Sequence, residues 1–246
     1  MHAGWRVGCA GWSLPRAAQP AFGEGESLLA RYATRFDVVE INSSFHRPHT
    51  PATYARWAAT VPAHFRFSVK LPRVVSHDRR LVDCDTALSE FLLQASGLGD
   101  RLGCLLVQLP PSLAFDAAVT TAFFTLLRGR HAGAVAVEPR HASWFTPAAD
   151  ALLSDLGMAR VLADPVRHEP GRWPGGDLRR IYLRLHGSPR MYYSSYEAEV
   201  LRAVAERMRQ AAADGAEVWC IFDNTAGQAA AGNALALLAE LERGRG

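Results

Sequence analysis

Nine side chains in this sequence have the types and placement to do chemistry together, each at or just past the end of a short apolar run. Glu40 and Asn42 end the run VVEIN; Lys70 ends RFSVK; Glu138 ends AVAVE and is followed by Arg140 and His141. Arg184 and His186 close RIYLRLH, and Asn224 follows EVWCIFD. Carboxylates and a histidine can move protons near neutral pH. A desolvated lysine can hold an anion, form a Schiff base or act as a base. Arginines fork onto carboxylates and phosphates. In a strand, residues two apart share a face, so Glu40 points with Asn42 and Arg184 with His186. The candidate proton-transfer groups are Glu40, Lys70, Glu138 and His186. Asn42, Arg140, His141, Arg184 and Asn224 are candidate substrate-binding groups, with Trp12 as a wall. Each has a structural alternative. Glu40 with Arg184, or Glu138 with Arg140, could be buried salt bridges, and an Asn after a strand is ordinary turn chemistry. As a set they are harder to dismiss, because burying many polar groups is costly unless they pair or meet a ligand.

Composition sharpens one candidate. Lys70 is the only lysine among 27 Lys and Arg, and Asn42, Asn224 and Asn233 are the only asparagines. A GC-rich coding bias drifts neutral Lys to Arg, so a lysine that survives it points to a task Arg cannot do.

The elements that must position these groups follow from hydrophobic pattern. Strands are predicted at 6–10, 38–42, 66–70, 103–108, 134–138, 159–163, 180–185 and 217–222. Helices are predicted at 27–35, from Thr50-Pro51, at 85–96, 115–127, from Thr146-Pro147 to Gly157, at 196–212 and at 228–241. Ser27 suits an N-cap, Pro51 and Pro147 a first helical turn, and Gly97 a left-handed helix end. Residues 165–177, rich in Gly and Pro, read as a loop. Near-continuous apolar strands suit a parallel sheet covered by helices. Eight β–α alternations in 246 residues, with one helix missing after the sixth strand, predict a single-domain (β/α)₈ barrel over 1–246, a fold that typically runs to about 250 residues. In that fold catalytic groups come from the C-terminal strand ends, where all nine lie. Loops after the last two strands often take phosphate there, and GSPRMYYSSY (187–196) offers Arg190 and tyrosine hydroxyls.

Other classes are excluded or weakened. The chain is 49% hydrophobic and 21% charged, which argues against disorder. A net charge of +3 does not support a broad nucleic-acid surface. No apolar run nears the roughly 20 residues that span a bilayer, and 1–9 lacks a signal core, so neither membrane nor export is expected. Cys9, Cys84, Cys104 and Cys220 form no C-x-x-C pair and read as buried thiols in a reducing cytoplasm. Phosphate-loop, dinucleotide, H-E-x-x-H and G-x-S-x-G motifs are all absent, so no cofactor is expected. His46, His49, His64 and His77 are scattered without tight ligand spacing, so no metal is expected either.

Eight stretches resemble the YecE-like proteins, domain of unknown function 72. They are GWSLP (11–15), FDVVEINSSFHRP (36–48), RFSVKLP (66–72), LLVQLPP (105–111), AVEPRHASW (136–144), YLRLHG (182–187), YSSY (193–196) and FDNTAGQAAAGNA (222–234). The resemblance implies an α/β barrel and no established activity. It emphasises Glu40, Asn42, Lys70, Glu138, Arg140, His141, Arg184, His186 and Asn224. VGCAGWS departs from the more common GTSGW-like run, and Asp223-Asn224 stands where paired asparagines are frequent.

The function expected is acid/base chemistry of hydrolase or isomerase type on a small anionic or polyhydroxylated molecule. Lys70, Arg140 and Arg184 would hold the anion, and Glu40 or Glu138 would work with His186. If the two glutamates act as a pair, their separation bears on glycosidase-like chemistry. The alternatives are a nucleic-acid-processing barrel resembling endonuclease IV-type folds, and a non-catalytic ligand-binding protein. The signature of the last is a ring neutralised by internal pairs.

Overall fold

Short β-branched runs separated by capped amphipathic helices build a curled, barrel-like sheet wrapped by helices. The computed structural model describes residues 4–243; Met1–Ala3 of the stretch read as lacking a signal core lies outside them. The strands are β1 (Trp5–Ala10), β2 (Val38–Ile41), β3 (Arg66–Lys70), β4 (Leu102–Gln108), β5 (Ala134–Glu138), β6 (Met158–Arg160), β7 (Leu162–Asp164), β8 (Gly175–Gly176), β9 (Arg180–Leu185) and β10 (Glu217–Phe222). The helices are α1 (Leu28–Tyr32), α2 (Pro51–Thr60), α3 (Asp85–Ala95), α4 (Ala117–Arg128), α5 (Pro147–Asp155), α6 (Ala198–Ala213) and α7 (Ala230–Arg243). The ten strands form one sheet in the order β7-β9-β10-β1-β2-β3-β4-β5-β6-β8. All pairings are parallel except the short β6–β8 ladder.

The sixth strand expected at 159–163 is divided. β6 pairs with β5 and β7 pairs with β9, with only Val161 between them. Val161 keeps its place in the β5 ladder by donating its N–H to the Val137 carbonyl at 2.8 Å. The loop expected at 165–177 contains β8, where Gly176 adopts φ +66° against the Met158 carbonyl, a conformation that excludes a side chain.

Period-2 alternation divides the core in two. Val38, Cys104, Leu106, Ala136, Val161, Tyr182, Trp219 and Ile221 pack together inside the curl. The alternate positions, Val39, Phe67, Val69, Leu105, Val135, Val137, Leu183 and Cys220 among them, pack outward under the helices. All four cysteines are buried and free.

The side chains of Ser27, Thr50, Asp116 and Thr146 accept from backbone amides in the first turns of α1, α2, α4 and α5, each cap contributing about 1 kcal/mol. The Asp116 cap is why α4 starts at Ala117 rather than at 115. Gly97 does not end α3 in the left-handed region. The chain continues into a 3-10 turn (Ser96–Arg101), and Gly99 takes the positive φ instead, at +50°. Gly97 is a contact glycine: a Cβ there would lie 2.1 Å from the Pro51 carbonyl oxygen.

Tyr32 joins α1 to the sheet. Its buried hydroxyl accepts from the Cys9 amide at 2.7 Å and donates to the Val38 carbonyl at 2.9 Å. Tyr32→Phe strands two buried backbone groups of β1 and β2 and should cost about 1–3 kcal/mol, read as a lower urea midpoint with an unchanged slope.

Candidate functional site

The inward face of the sheet turns polar at the carboxyl ends of its strands. Glu40 (β2), Ser68 (β3), Glu138 (β5), Tyr182 and Arg184 (β9) are buried there, together with His186 and Asp223 just past β9 and β10. Arg184 is the hub. Its Nε donates to Glu40 Oε2 at 3.0 Å and its Nη2 to Glu40 Oε1 at 2.6 Å, a bidentate fork. Nη1 donates to Glu138 Oε2 at 2.5 Å, and Nη2 also reaches Asp223 Oδ2 at 3.0 Å. Only a planar guanidinium offers donors in enough directions to serve three carboxylates at once. Tyr182 donates to Glu40 Oε2 at 2.9 Å, and its hydroxyl lies 2.8 Å from Ser68 Oγ.

His186 closes the network on the other side. Nδ1 lies 3.0 Å from Asp223 Oδ2 and Nε2 lies 2.8 Å from Glu138 Oε1. Glu138 Oε1 also accepts from Arg140 Nη2 at 2.7 Å. Burial alone would make His186 harder to protonate. The Glu138 charge and the hydrogen bonds to Asp223 and Glu138 outweigh it and raise its pKa. Burial likewise opposes ionisation of Glu138 and Asp223, yet Arg184 and His186 hold both below the usual carboxylate range. Three carboxylates thus face Arg184, Arg140 and a histidine whose protonated form they favour, with Arg140 Nη2 also 3.2 Å from His186 Nε2. A carboxylate held this firmly ionised cannot be a resting general acid, and a histidine with both nitrogens on carboxylates has none free to accept a proton.

Lys70 is the cation left over. It ends β3, and among the described residues its amine makes no hydrogen bond or ion pair. It lies 4.2 Å from the centroid of the Phe45 ring. Burial and then Arg184 lower its pKa, partly offset by Glu40, Glu138 and Asp223. Arg140, almost fully buried, keeps an Nε without a partner. It lines, with His186, Phe145 and Arg167, a cleft of about 20 Å³, the size of one oxygen atom or water. A larger cleft of about 350 Å³ opens beside Phe45, between His46, Arg47, Arg73, Asp78 and α3.

The structure therefore gathers Glu40, Glu138, Arg140, Arg184 and His186 into one network with Lys70 above it, and spends the other four candidates differently. Asn42 precedes a 3-10 turn (Ser43–Phe45), its Oδ1 buried without a partner. Trp12 packs edge-on against Trp57, ring centroids 5.1 Å apart. His141 Nδ1 accepts from the Ser143 amide and so caps the 3-10 turn Ala142–Trp144. Asn224 donates to the Ser194 carbonyl and to Asn233 Oδ1, which fastens the 187–196 loop to α7. The same loop hangs Tyr192 over the site. Its ring stands edge-on to His186 at 5.7 Å, with φ at +68°, rare for an aromatic residue.

Three members of the network and one of its neighbours were not among the candidate site residues. Tyr182 and Ser68 sit two residues before Arg184 and Lys70, so strand periodicity alone would have found them. Asp223 was visible as the residue ending β10. His77 was visible only as one of several scattered histidines; a π-helical turn (Val74–Asp78) after β3 brings it edge-on to the Phe45 ring at 4.9 Å.

No group of three or more His, Cys, Asp or Glu among the described residues is arranged to hold a metal, since guanidinium and imidazole donors already occupy the carboxylates. No helix among them is long and apolar enough to cross a membrane. Known proteins carry the same framework. A DUF72 family protein from Thermotoga maritima superposes with a TM-score of 0.80 at 24% identity, over 97% of this chain and 99% of that one, a likeness of fold. YunF of Bacillus subtilis (strain 168), "UPF0759 protein YunF", is 22% identical over 96% of this chain and 94% of its own length. "UPF0759 protein YecE" of Escherichia coli (strain K12) is 34% identical over 104 residues, 42% of this chain and 37% of its own length. The family model described as "Protein of unknown function DUF72" matches residues 6–246, which hold every strand end and every member of the Arg184 network, and the chain accordingly belongs to the YecE-like DUF72 family.

Proposed function

We propose that this protein is an enzyme of hydrolase or isomerase type, working by acid/base chemistry on a small anionic or polyhydroxylated substrate held at the carboxyl-end mouth of the sheet. On this reading β6 and β7 are one interrupted strand that closes a (β/α)₈ barrel, and the mouth is the end where that fold places its chemistry. One observation carries it: the buried carboxylates are paired with Arg184, Arg140 and His186, while Lys70, over the Phe45 ring, has no ion pair among the described residues. An ammonium drawn partly out of water and left unpaired is costly unless an anion completes it. Arg140, tied to Glu138, keeps an unused Nε donor in the cleft it shares with His186. The buried network fixes Arg140, and the Phe45 ring seats the Lys70 ammonium, before the ligand arrives, which is how binding sites avoid reorganisation.

A thermal-shift screen against phosphorylated sugars, nucleotides, simple carboxylates and divalent metals tests this. A ligand at 100 times its Kd should stabilise the native state by about 2.7 kcal/mol. Lys70→Met should abolish the shift caused by an anionic ligand while leaving the unliganded melting temperature within a few degrees. Anions that stabilise both proteins equally would remove Lys70 from the site.

The internal pairing of charge also favours a second reading, a ligand-binding protein without turnover. Mass spectrometry of each stabilising compound after prolonged incubation separates the two: a new product supports the enzyme, and unchanged ligand supports the binder.

A further inference from the structure

The proton-moving group of this mouth cannot be the buried histidine, and the geometry offers another. His186 has both ring nitrogens on carboxylates and is 1% exposed. His77 is held differently. It rides on the π-helical turn Val74–Asp78 that follows β3, the strand that ends in Lys70, and such turns are frequent at functional sites. Its Nδ1 lies 2.9 Å from Ser76 Oγ, which fixes the ring, and its Nε2 has no hydrogen bond or ion pair with any described residue. The Phe45 ring links it to the lysine. Lys70 Nζ lies 4.2 Å from that ring's centroid, and the His77 ring lies 4.9 Å from it.

The surroundings decide its protonation state. Lys70 acts on it from β3, Arg73 and Asp78 from its own turn and Arg140 from beyond β5, and the His46 ring also stands edge-on to Phe45 at 4.9 Å. Burial, then Lys70, Arg73 and Arg140, all disfavour a further positive charge, and only Asp78 opposes them. Asp78 is itself bonded to Arg73 at 3.1 Å. The surroundings of His77 thereby favour its neutral form, with the Nε2 lone pair available, whereas those of His186 favour its protonated form.

Resting on the reading of this mouth as an anion site, we propose that His77 is its proton acceptor: Nε2 takes a proton from an acidic O–H or C–H group of an oxyanionic ligand held by Lys70. In that step the ligand's O–H or C–H bond breaks and the Nε2–H bond forms. The electron pair stays on the ligand as an added negative charge beside the Lys70 ammonium, and the new imidazolium pairs with it. No further reactant is needed. For an isomerisation the proton returns to a neighbouring atom; for a hydrolysis the same nitrogen deprotonates a water.

Inorganic phosphate serves as the probe, because dihydrogen phosphate carries an acidic O–H. The whole protein is titrated by histidine-detected NMR with and without phosphate, with His77→Gln used to assign the resonance. In the free protein His77 should titrate below 6.5. Saturating phosphate should raise its midpoint by about one pH unit or more, since a new anion lies within ion-pair reach of it. The ³¹P shift should report bound dianion at pH values where free phosphate is the monoanion, and Lys70→Met should remove both changes. Phosphate that perturbs Lys70 and raises the melting temperature while the His77 midpoint stays still would overturn the assignment of His77 and leave the anion site standing. No response to phosphate at Lys70, His77 or the melting temperature would overturn the anion reading, and the role of His77 with it.

Discussion

Arg184→Met should destabilise the protein more than any other single substitution of a charged residue, by about 3–5 kcal/mol, because it leaves buried charge uncompensated. In a chain of this size that lowers the melting temperature by on the order of 10 °C. Methionine fills much of the same volume, so the loss is not one of packing. It arises because Glu40, Glu138 and Asp223 lose the one guanidinium that serves all three, and Tyr182 and His186 cannot neutralise what remains. Lysine should rescue little, since an ammonium is a point charge that cannot fork onto Glu40 and also reach Glu138. The control is Arg179→Met. Arg179 is paired with Asp177 but lies at the surface, where water screens such a pair and its loss is little felt. Thermal melts of the three variants check this, and an Arg184→Met protein as stable as the Arg179 variant would refute a hub role for Arg184.

The contribution of the Arg184 network to stability should pass through a maximum in mildly acid solution. Glu138 and Asp223 have folded pKa values below their ordinary 4.5 and 3.8. The stability they confer is present above those values and is lost as pH falls through the depressed folded ones. His186 works in the opposite sense. Its folded pKa lies above the ordinary 6.5, so its contribution is complete below 6.5 and is lost as pH rises through the raised value. Between about 4.5 and 6.5 all three contribute in full. Each pH unit separating a folded from an unfolded pKa is worth about 1.4 kcal/mol, so both limbs should be steep. Urea midpoints measured from pH 3 to 9 would trace the curve. His186→Asn should flatten the alkaline limb and keep the acid one; an alkaline limb that survives the substitution would mean that another group causes it.

Strand positions were the most legible feature of the sequence. The runs at 66–70, 134–138, 180–185 and 217–222 coincide with β3, β5, β9 and β10, because a parallel strand buried on both faces must be continuously apolar and short. Glu40, Glu138, Arg184 and His186 were legible as a group because strand ends in one sheet converge. Their partnership was not. Which carboxylate meets which guanidinium depends on register and on side-chain reach, and neither leaves a trace in composition. The break at Val161, the two-residue β8 and the π-helical turn at Val74–Asp78 were illegible for another reason. The first two are imposed by hydrogen bonds to distant strands, and the third by local backbone bonds, Arg79 N–H to the Val74 carbonyl among them, that no hydrophobic period announces. His77 shows the cost: without that turn in view, nothing separates it from His46 or His64.

The interruption at Val161 has a bearing on motion. β6 leans on β5 and β7 leans on β9, so this one residue sits where the two outer margins of the ribbon meet. Among the described residues no α-helix lies between β7 and β9. The Gly-Pro stretch with β8 takes that place, and Val161 lines the small void beside Arg140 and His186. A zipper with its slider at this point would open here first. Deuterium should therefore enter the amides of 158–178 well before those of β2 to β5, and the charged floor should feel solvent from its side while the mouth above stays closed.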